Sequence, residues 1–213
     1  MISKQFKFIL IIYLSNIFAQ EVKWMSIGDL HNWYSAAGSE IEVGRTGQVS
    51  DQQDGLRYPA FYRVQDNQAA KGLWLGASNF YDPVVNKNYD KKVVHAGPRH
   101  LDIENETMPV KITMDGKYDH PNVFVDGDPA TNLQYLDYVD NVDPSLESDR
   151  KINNVVQTSL GVQMKRTIYA FAHPDHQNYH IQEYVFTNNG CFDKDCNTSY
   201  DQTLEGFQVY LQY

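Results

Sequence analysis

The chain has two cysteines, one unbroken apolar run and no basic cluster, and each scarcity closes off a class of function. Without a C-x-x-C pair, thioredoxin-type redox chemistry and zinc ribbons have no ligands. Lys and Arg number 18 against 27 Asp and Glu, for a net charge of −9, which argues against nucleic acid and against an anionic membrane surface. There is no G-x-S-x-G elbow, no Gly-rich phosphate loop and no dinucleotide fingerprint. Helical periodicity is hard to find, and no internal repeat or low-complexity tract is visible. The apolar run, Phe8 to Leu14, is shorter than the roughly 20 helical residues that cross a bilayer.

That run lies in a segment with the build of a secretory signal peptide. Lys4 and Lys7 supply the positive start, and Ser15 to Ala19 a short exit to a small residue. Cleavage is expected after Ala19, leaving residues 20–213 as one all-β domain with no membrane span. No cysteine follows to accept a lipid. Loss of two lysines takes the net charge from −9 to −11.

Among the residues that are present, aromatics stand out, with 15 Tyr and 10 Phe. The stretch from Gly161 to Gly190 reads as two β-strands joined by a polar turn. From Val156, apolar side chains alternate with polar ones through Met164 and Lys165, the period of a half-buried strand. His173-Pro174-Asp175 breaks the ladder, because proline has no N–H to donate. Tyr179 to Thr187 resumes as a strand rich in aromatic and β-branched residues, and Asn189-Gly190 supplies a turn. Further strands are expected at Val22–Met25, Tyr58–Val64, Gly72–Ala77, from Val93, at Val110–Met114 and at Asn122–Val125. Phe80 to Lys92 reads as a polar connection, and Asp66 to Lys71 as one turn of helix. Many short strands punctuated by Gly, Pro, Asn and Asp point to an all-β fold, an antiparallel β-sandwich. The strand from Gly206 to Tyr213 has no polar tail, so the chain is expected to be the N-terminal part of a longer protein, with its last sheet incomplete.

Several groups carry candidate chemistry. Trp24, Trp33, Tyr34 and Trp74 are either an aromatic platform for a glycan or core anchors. Asp115 to Asp149 holds nine carboxylates and one lysine. Within it Asp126-Gly127-Asp128 has the alternate spacing of Ca²⁺ loops but lacks the distal glutamate of an EF-hand. His173, His176 and His180 gather at the hairpin turn, without the helix-borne spacing of a zinc protease. Glu183 falls on a strand face with Ile181 and Val185, where a carboxylate needs a partner, and Arg166 across the hairpin is the candidate. Cys191 and Cys196 are expected to form a disulfide closing a small loop.

The pieces LHNWYSAAGSEIE, QQDGLRYPAFY, QAAKGLWLGASNF, VVHAGPRH and YHIQEYVFTNNG carry a resemblance that covers nearly the whole mature chain. Together they resemble the opening of large secreted bacterial surface proteins that carry fibronectin type III modules and a type IX sorting domain. The resemblance implies a secreted or cell-surface location and carries over no catalytic residue. The expected function is therefore a non-catalytic module of an extracellular protein, contacting glycan or a matrix or surface protein. The alternative is part of a hydrolase acting on polysaccharide or peptide, with an acidic, Ca²⁺-assisted site and two facing carboxylates.

Overall fold

The computed structural model describes residues 21–41, 55–62, 67–68, 70–97, 106–130 and 136–212. The expected signal peptide lies outside them. Among the described residues there is no helix, and the strands build an antiparallel β-sandwich with two main sheets. The larger sheet orders β12 (Ile181–Asn188), β11 (Val162–Ala170), β10 (Arg150–Thr158), β6 (Thr107–Gly116) and β9 (Asn141–Val142). The second places β4 (Ala70–Asp82) between β13 (Glu205–Gln212) and β5 (Lys87–Ala96), with β3 (Glu40–Ile41) on the first residues of β4. A hairpin of β1 (Val22–Met25) and β2 (Asn32–Ser35) covers the rest of the larger sheet, and β7 (Phe124–Val125) pairs β8 (Asp128–Pro129) in a small exposed hairpin.

The alternation read from Val156 to Lys165 crosses a turn. β10 ends at Thr158 and β11 begins at Val162, with Gly161 at φ 71 and its N–H donating to the Thr158 carbonyl. The period survives because both strands present the same face to the core, so the pattern alone hides the reversal. The expected polar connection at 80–92 is mostly strand, since β4 runs to Asp82 and β5 resumes at Lys87. Lys71, expected in a helical turn, is in β4. Residues 58–62, expected in a strand, instead form bends and a turn around the cis Tyr58–Pro59 bond. Pro109 lies in β6 where the register against β10 shifts between Val155 and Val156, the irregular position that a residue without an N–H tolerates.

One face of the larger sheet is buried along its length. Its lower half, Val156, Leu160, Val162 and Met164, packs on Leu73, Leu75, Phe80 and Val94 of the second sheet. Its upper half, Ile112, Met114, Ile152 and Ile168, packs on Met25, Ile27 and Tyr34 from the β1–β2 hairpin. Between the halves runs a polar row, Arg166 directly opposite Asn154, both essentially inaccessible. Arg166 donates from its two terminal nitrogens to the carbonyls of Gly38 (2.9 Å) and Ser35 (2.8 Å), and Asn154 Nδ2 donates to the Ala36 carbonyl at 2.9 Å. The tight turn after β2, with Gly38 at φ 104, is thereby satisfied by the sheet beneath it. A buried carbonyl left unpaired costs on the order of 1–3 kcal/mol.

Arg166→Ala removes both bonds and leaves a void between the two cores. We expect a loss of about 3–5 kcal/mol, read as a lower urea midpoint. An Arg166→Ala protein within 1 kcal/mol of the parent contradicts this role.

Candidate functional site

Three connections meet at one end of the sandwich. They are the β1–β2 loop at 28–31, the segment 57–62, and the β11–β12 loop at 171–180. The first is the keystone. Asp29 N–H donates to the Gln177 carbonyl (2.9 Å), Ala60 N–H donates to the Asp29 carbonyl (2.7 Å), and His31 and Arg57 exchange both backbone bonds (3.0 and 2.9 Å). Gln177 Nε2 adds a bond to the Asp29 carboxylate at 3.1 Å. Gly28 makes the junction possible. At φ 74, its place for a Cβ lies 2.7 Å from the Phe171 carbonyl oxygen and 2.8 Å from that of Gln177.

Beneath these loops lies an aromatic and imidazole layer. Trp24 stacks at a tilt on Trp33 (4.8 Å between centroids), His31 meets Trp24 edge-on, and the Arg57 guanidinium lies 4.9 Å over the Trp24 ring. His31 Nε2–H donates to the Gly28 carbonyl at 3.1 Å, and the Tyr34 hydroxyl and His180 Nδ1 share a hydrogen bond at 2.7 Å. Burial pushes both imidazoles down to about 4, partly offset by the Gly28 carbonyl beside His31 and the Leu30 backbone beside His180. Burial, with Glu40 nearby, pushes the Tyr34 hydroxyl well up. Above the layer, the loops present rings to solvent. Phe61 is 85% exposed, Tyr62 55%, Tyr58 42% and Tyr179 41%.

The expected sugar platform is therefore corrected. Trp24 and Tyr34 are core residues, 7% and 1% exposed, and Trp33 and Trp74 are half-buried. Aromatic size drew these four inward, because burying large rings is the most favourable use of their area. Three of the exposed rings, Tyr58, Phe61 and Tyr62, belong to a run read as a strand, while Tyr179 precedes β12 rather than opening it. The run's usable signal was Pro59, which demotes an aromatic-rich segment from a central strand.

Other candidates have structural settings. Asp126 and Asp128 sit in the exposed β7–β8 hairpin, with Asp126 at φ 53 and Gly127 at φ 93. These are the left-handed values a two-residue hairpin turn requires, which explains the Asp-Gly pair without a cation. Among the described residues no three His, Cys, Asp or Glu side chains converge as a metal site. The histidines separate: His176 bonds Tyr179, exposed His173 stacks near His176, and His180 turns inward to Tyr34. Glu183 is exposed and faces Thr167, and Arg166 faces Tyr184. The expected pair fails because β12 is an end strand whose Ile181–Glu183–Val185 face is open to water. Cys191 and Cys196 form the expected disulfide, with Cα atoms 4.8 Å apart.

The buried carboxylates are engaged within the fold. Asp137 accepts from Arg150 Nε (3.0 Å), His120 Nε2–H (2.7 Å) and Ser26 N–H (3.1 Å), with Arg150 wholly inaccessible. Glu40 accepts from Asn32 (2.7 Å) and Gln182 (2.8 Å) and pairs with Lys71 at 3.3 Å. These charges tie loops to sheets. No family model, curated protein or solved structure matches the chain.

Two measurements follow from these settings. With folded values near 4 against an unfolded value of about 6.5, His31 and His180 bind fewer protons folded than unfolded between those pH values. Their contribution, on the order of 3 kcal/mol each, is therefore complete above pH 6.5 and disappears as pH falls toward 4. Urea unfolding across that window should show a slope approaching two protons, reduced to about one in His180→Gln; a flat profile would mean both imidazoles stay solvated. Calcium should leave the thermal midpoint in place, and a chelator-reversible rise would re-establish a cation site near Asp126 and Asp128.

Proposed function

We propose that this chain is an exported, non-catalytic recognition module of a cell-surface or extracellular protein, and that it contacts glycan through the three-loop end of its sandwich. The observation that carries this reading is the set of exposed rings, Phe61, Tyr62, Tyr58 and Tyr179, on loops fixed to one another by backbone hydrogen bonds. Rings held in water on a braced loop cost little further ordering when a ligand arrives, so their contact area converts efficiently to affinity. Flat apolar ring faces match the C–H faces of sugars, and the Tyr hydroxyls and exposed His173 and His176 bring hydrogen-bonding groups alongside. The strongly acidic composition suits a neutral or cationic partner surface better than a polyanion. The disulfide suits an oxidising compartment. The buried carboxylates Asp137, Glu40 and Asp82 are each consumed by internal partners, which favours binding over hydrolysis by paired acids.

The test is titration of the isotopically labelled chain with neutral oligosaccharides of β-glucan, xylan and mannan type, followed by NMR. Shifts should cluster at residues 58–62 and 173–179. Phe61→Ala should weaken binding by about tenfold or more while leaving the thermal midpoint unchanged, since the ring is already solvated. Binding that survives both Phe61→Ala and Tyr62→Ala would sink the site, and no shift with any glycan would sink the ligand class.

A further inference from the structure

A second feature lies away from the loop end, on the lateral side where the two sheets stop. β12 ends the larger sheet and β13 the second, and the two strands face each other through Phe186 and Phe207, 5.8 Å apart in an edge-to-face contact. Between them opens a cleft of about 400 Å³. Val162, Phe186, Leu204 and Phe207 form its apolar floor, and Asn188, Asp201, Gln202 and Thr203 its rim.

The rim's polar groups are partly engaged within the fold, and its charge is of one sign. Asn188 Nδ2 donates to the Gln202 carbonyl at 2.8 Å, and the Gln202 amide is held by both backbone groups of Tyr81, at 2.9 and 3.3 Å. One N–H of each amide is thus engaged within the fold, and the exposed Asp201 carboxylate is the rim's one charge. The crossover from 191 to 205 carries Asp193, Asp195, Asp201 and Glu205 against Lys194. A cationic entrant is the complementary one. The aromatic floor favours the same choice, because ring faces attract cations.

The strand edges around the cleft are also unguarded. β5, the strand at the opposite edge of the second sheet, carries Lys87, Lys91 and Lys92, with Lys87 and Lys92 placed over Tyr89 at 4.6 and 5.0 Å. Lysines on an edge strand discourage further pairing. β12 and β13 contain neither Lys nor Pro, and each presents one edge of its backbone with no sheet partner among the described residues.

We propose that this cleft is a docking site for an extended basic polypeptide segment. The segment adds as a strand at the β12 or β13 edge and places a lysine or arginine side chain over Phe186 and Phe207, with its charge at Asp201. Backbone pairing supplies the alignment and the cleft supplies the side-chain selection, as in other strand-addition complexes. The site is separate from the loop-end surface, so either can fail alone.

The test uses the whole chain and a fluorescent eight-residue probe peptide alternating valine and lysine, with a valine–glutamate peptide as control. Anisotropy should show binding on the order of 100 μM for the lysine peptide only, weakening several-fold between about 0.05 and 0.5 M salt. NMR shifts should fall on β12, β13 and residues 201–204. Asp201→Asn should weaken binding about fivefold or more, and Asp201→Lys, a solvent-facing change, should move the preference toward the glutamate peptide. Equal binding of both peptides, shifts confined to other surfaces, or an Asp201→Lys protein that keeps the lysine preference would overturn the proposal. Occupation of the cleft by an oligosaccharide, or by a second copy of the chain seen as concentration-dependent mass in sedimentation, would overturn it equally.

Discussion

The rest of the structure depends on how the larger sheet holds the turn that follows β2. Arg166 and Asn154, side by side on adjacent strands, occupy the middle of an otherwise apolar face, where a charge without partners would be expensive. The carbonyls of Ser35 and Gly38 partner the two terminal nitrogens of Arg166, and that of Ala36 partners Asn154 Nδ2, so these carbonyls leave water without losing their hydrogen bonds. The β1–β2 hairpin is thereby fixed over one half of the sheet, while the β4–β5 pair packs over the other through the apolar core. Since β2 carries Tyr34, and the β1–β2 loop is the keystone of the loop end, the position of the exposed rings traces back to this one polar row.

The two sides of the sandwich solve the edge problem differently. The β5 edge is charged and self-engaged through Tyr89, which limits its appetite for another strand. The β12–β13 side has aromatic and aliphatic side chains that are only partly covered, among them Tyr184, Phe186, Leu204, Phe207 and Leu211. A bulge between Glu205 and Gln208 shortens the regular ladder of β13, but nothing comparable interrupts β12. A sandwich open on one side keeps both a recognition surface and an aggregation hazard there. The acidic crossover is what biases that opening toward basic segments rather than toward copies of itself.

Much of the architecture was legible along the chain. The β11–β12 pair, the strands at 22–25, 72–77 and 110–114, and the Cys191–Cys196 bond all follow from local signals that the fold respects. Local signals also misled. Alternation through Val156–Lys165 concealed a reversal at Gly161, and aromatic composition at 58–62 looked like strand. The Glu183–Arg166 pairing failed by a single register step, which in a sheet moves a side chain to the opposite face. The Asp126 turn shows the reverse case, where a spacing reminiscent of a cation loop meets the backbone demand of a two-residue hairpin.

By itself, then, the sequence determined the class of the fold, its central hairpin and its cross-link, because period-two alternation, turn residues and cysteine spacing act over a few neighbours. Only the tertiary structure decided which aromatics face water and which carboxylates are spent on internal partners. Trp24 and Phe61 are alike in composition and opposite in exposure. Asp137 and Asp201 carry the same group, one locked to Arg150 and the other open at a rim. For such single side chains outside a regular alternation, burial is set by strands brought together from distant parts of the chain rather than by near neighbours.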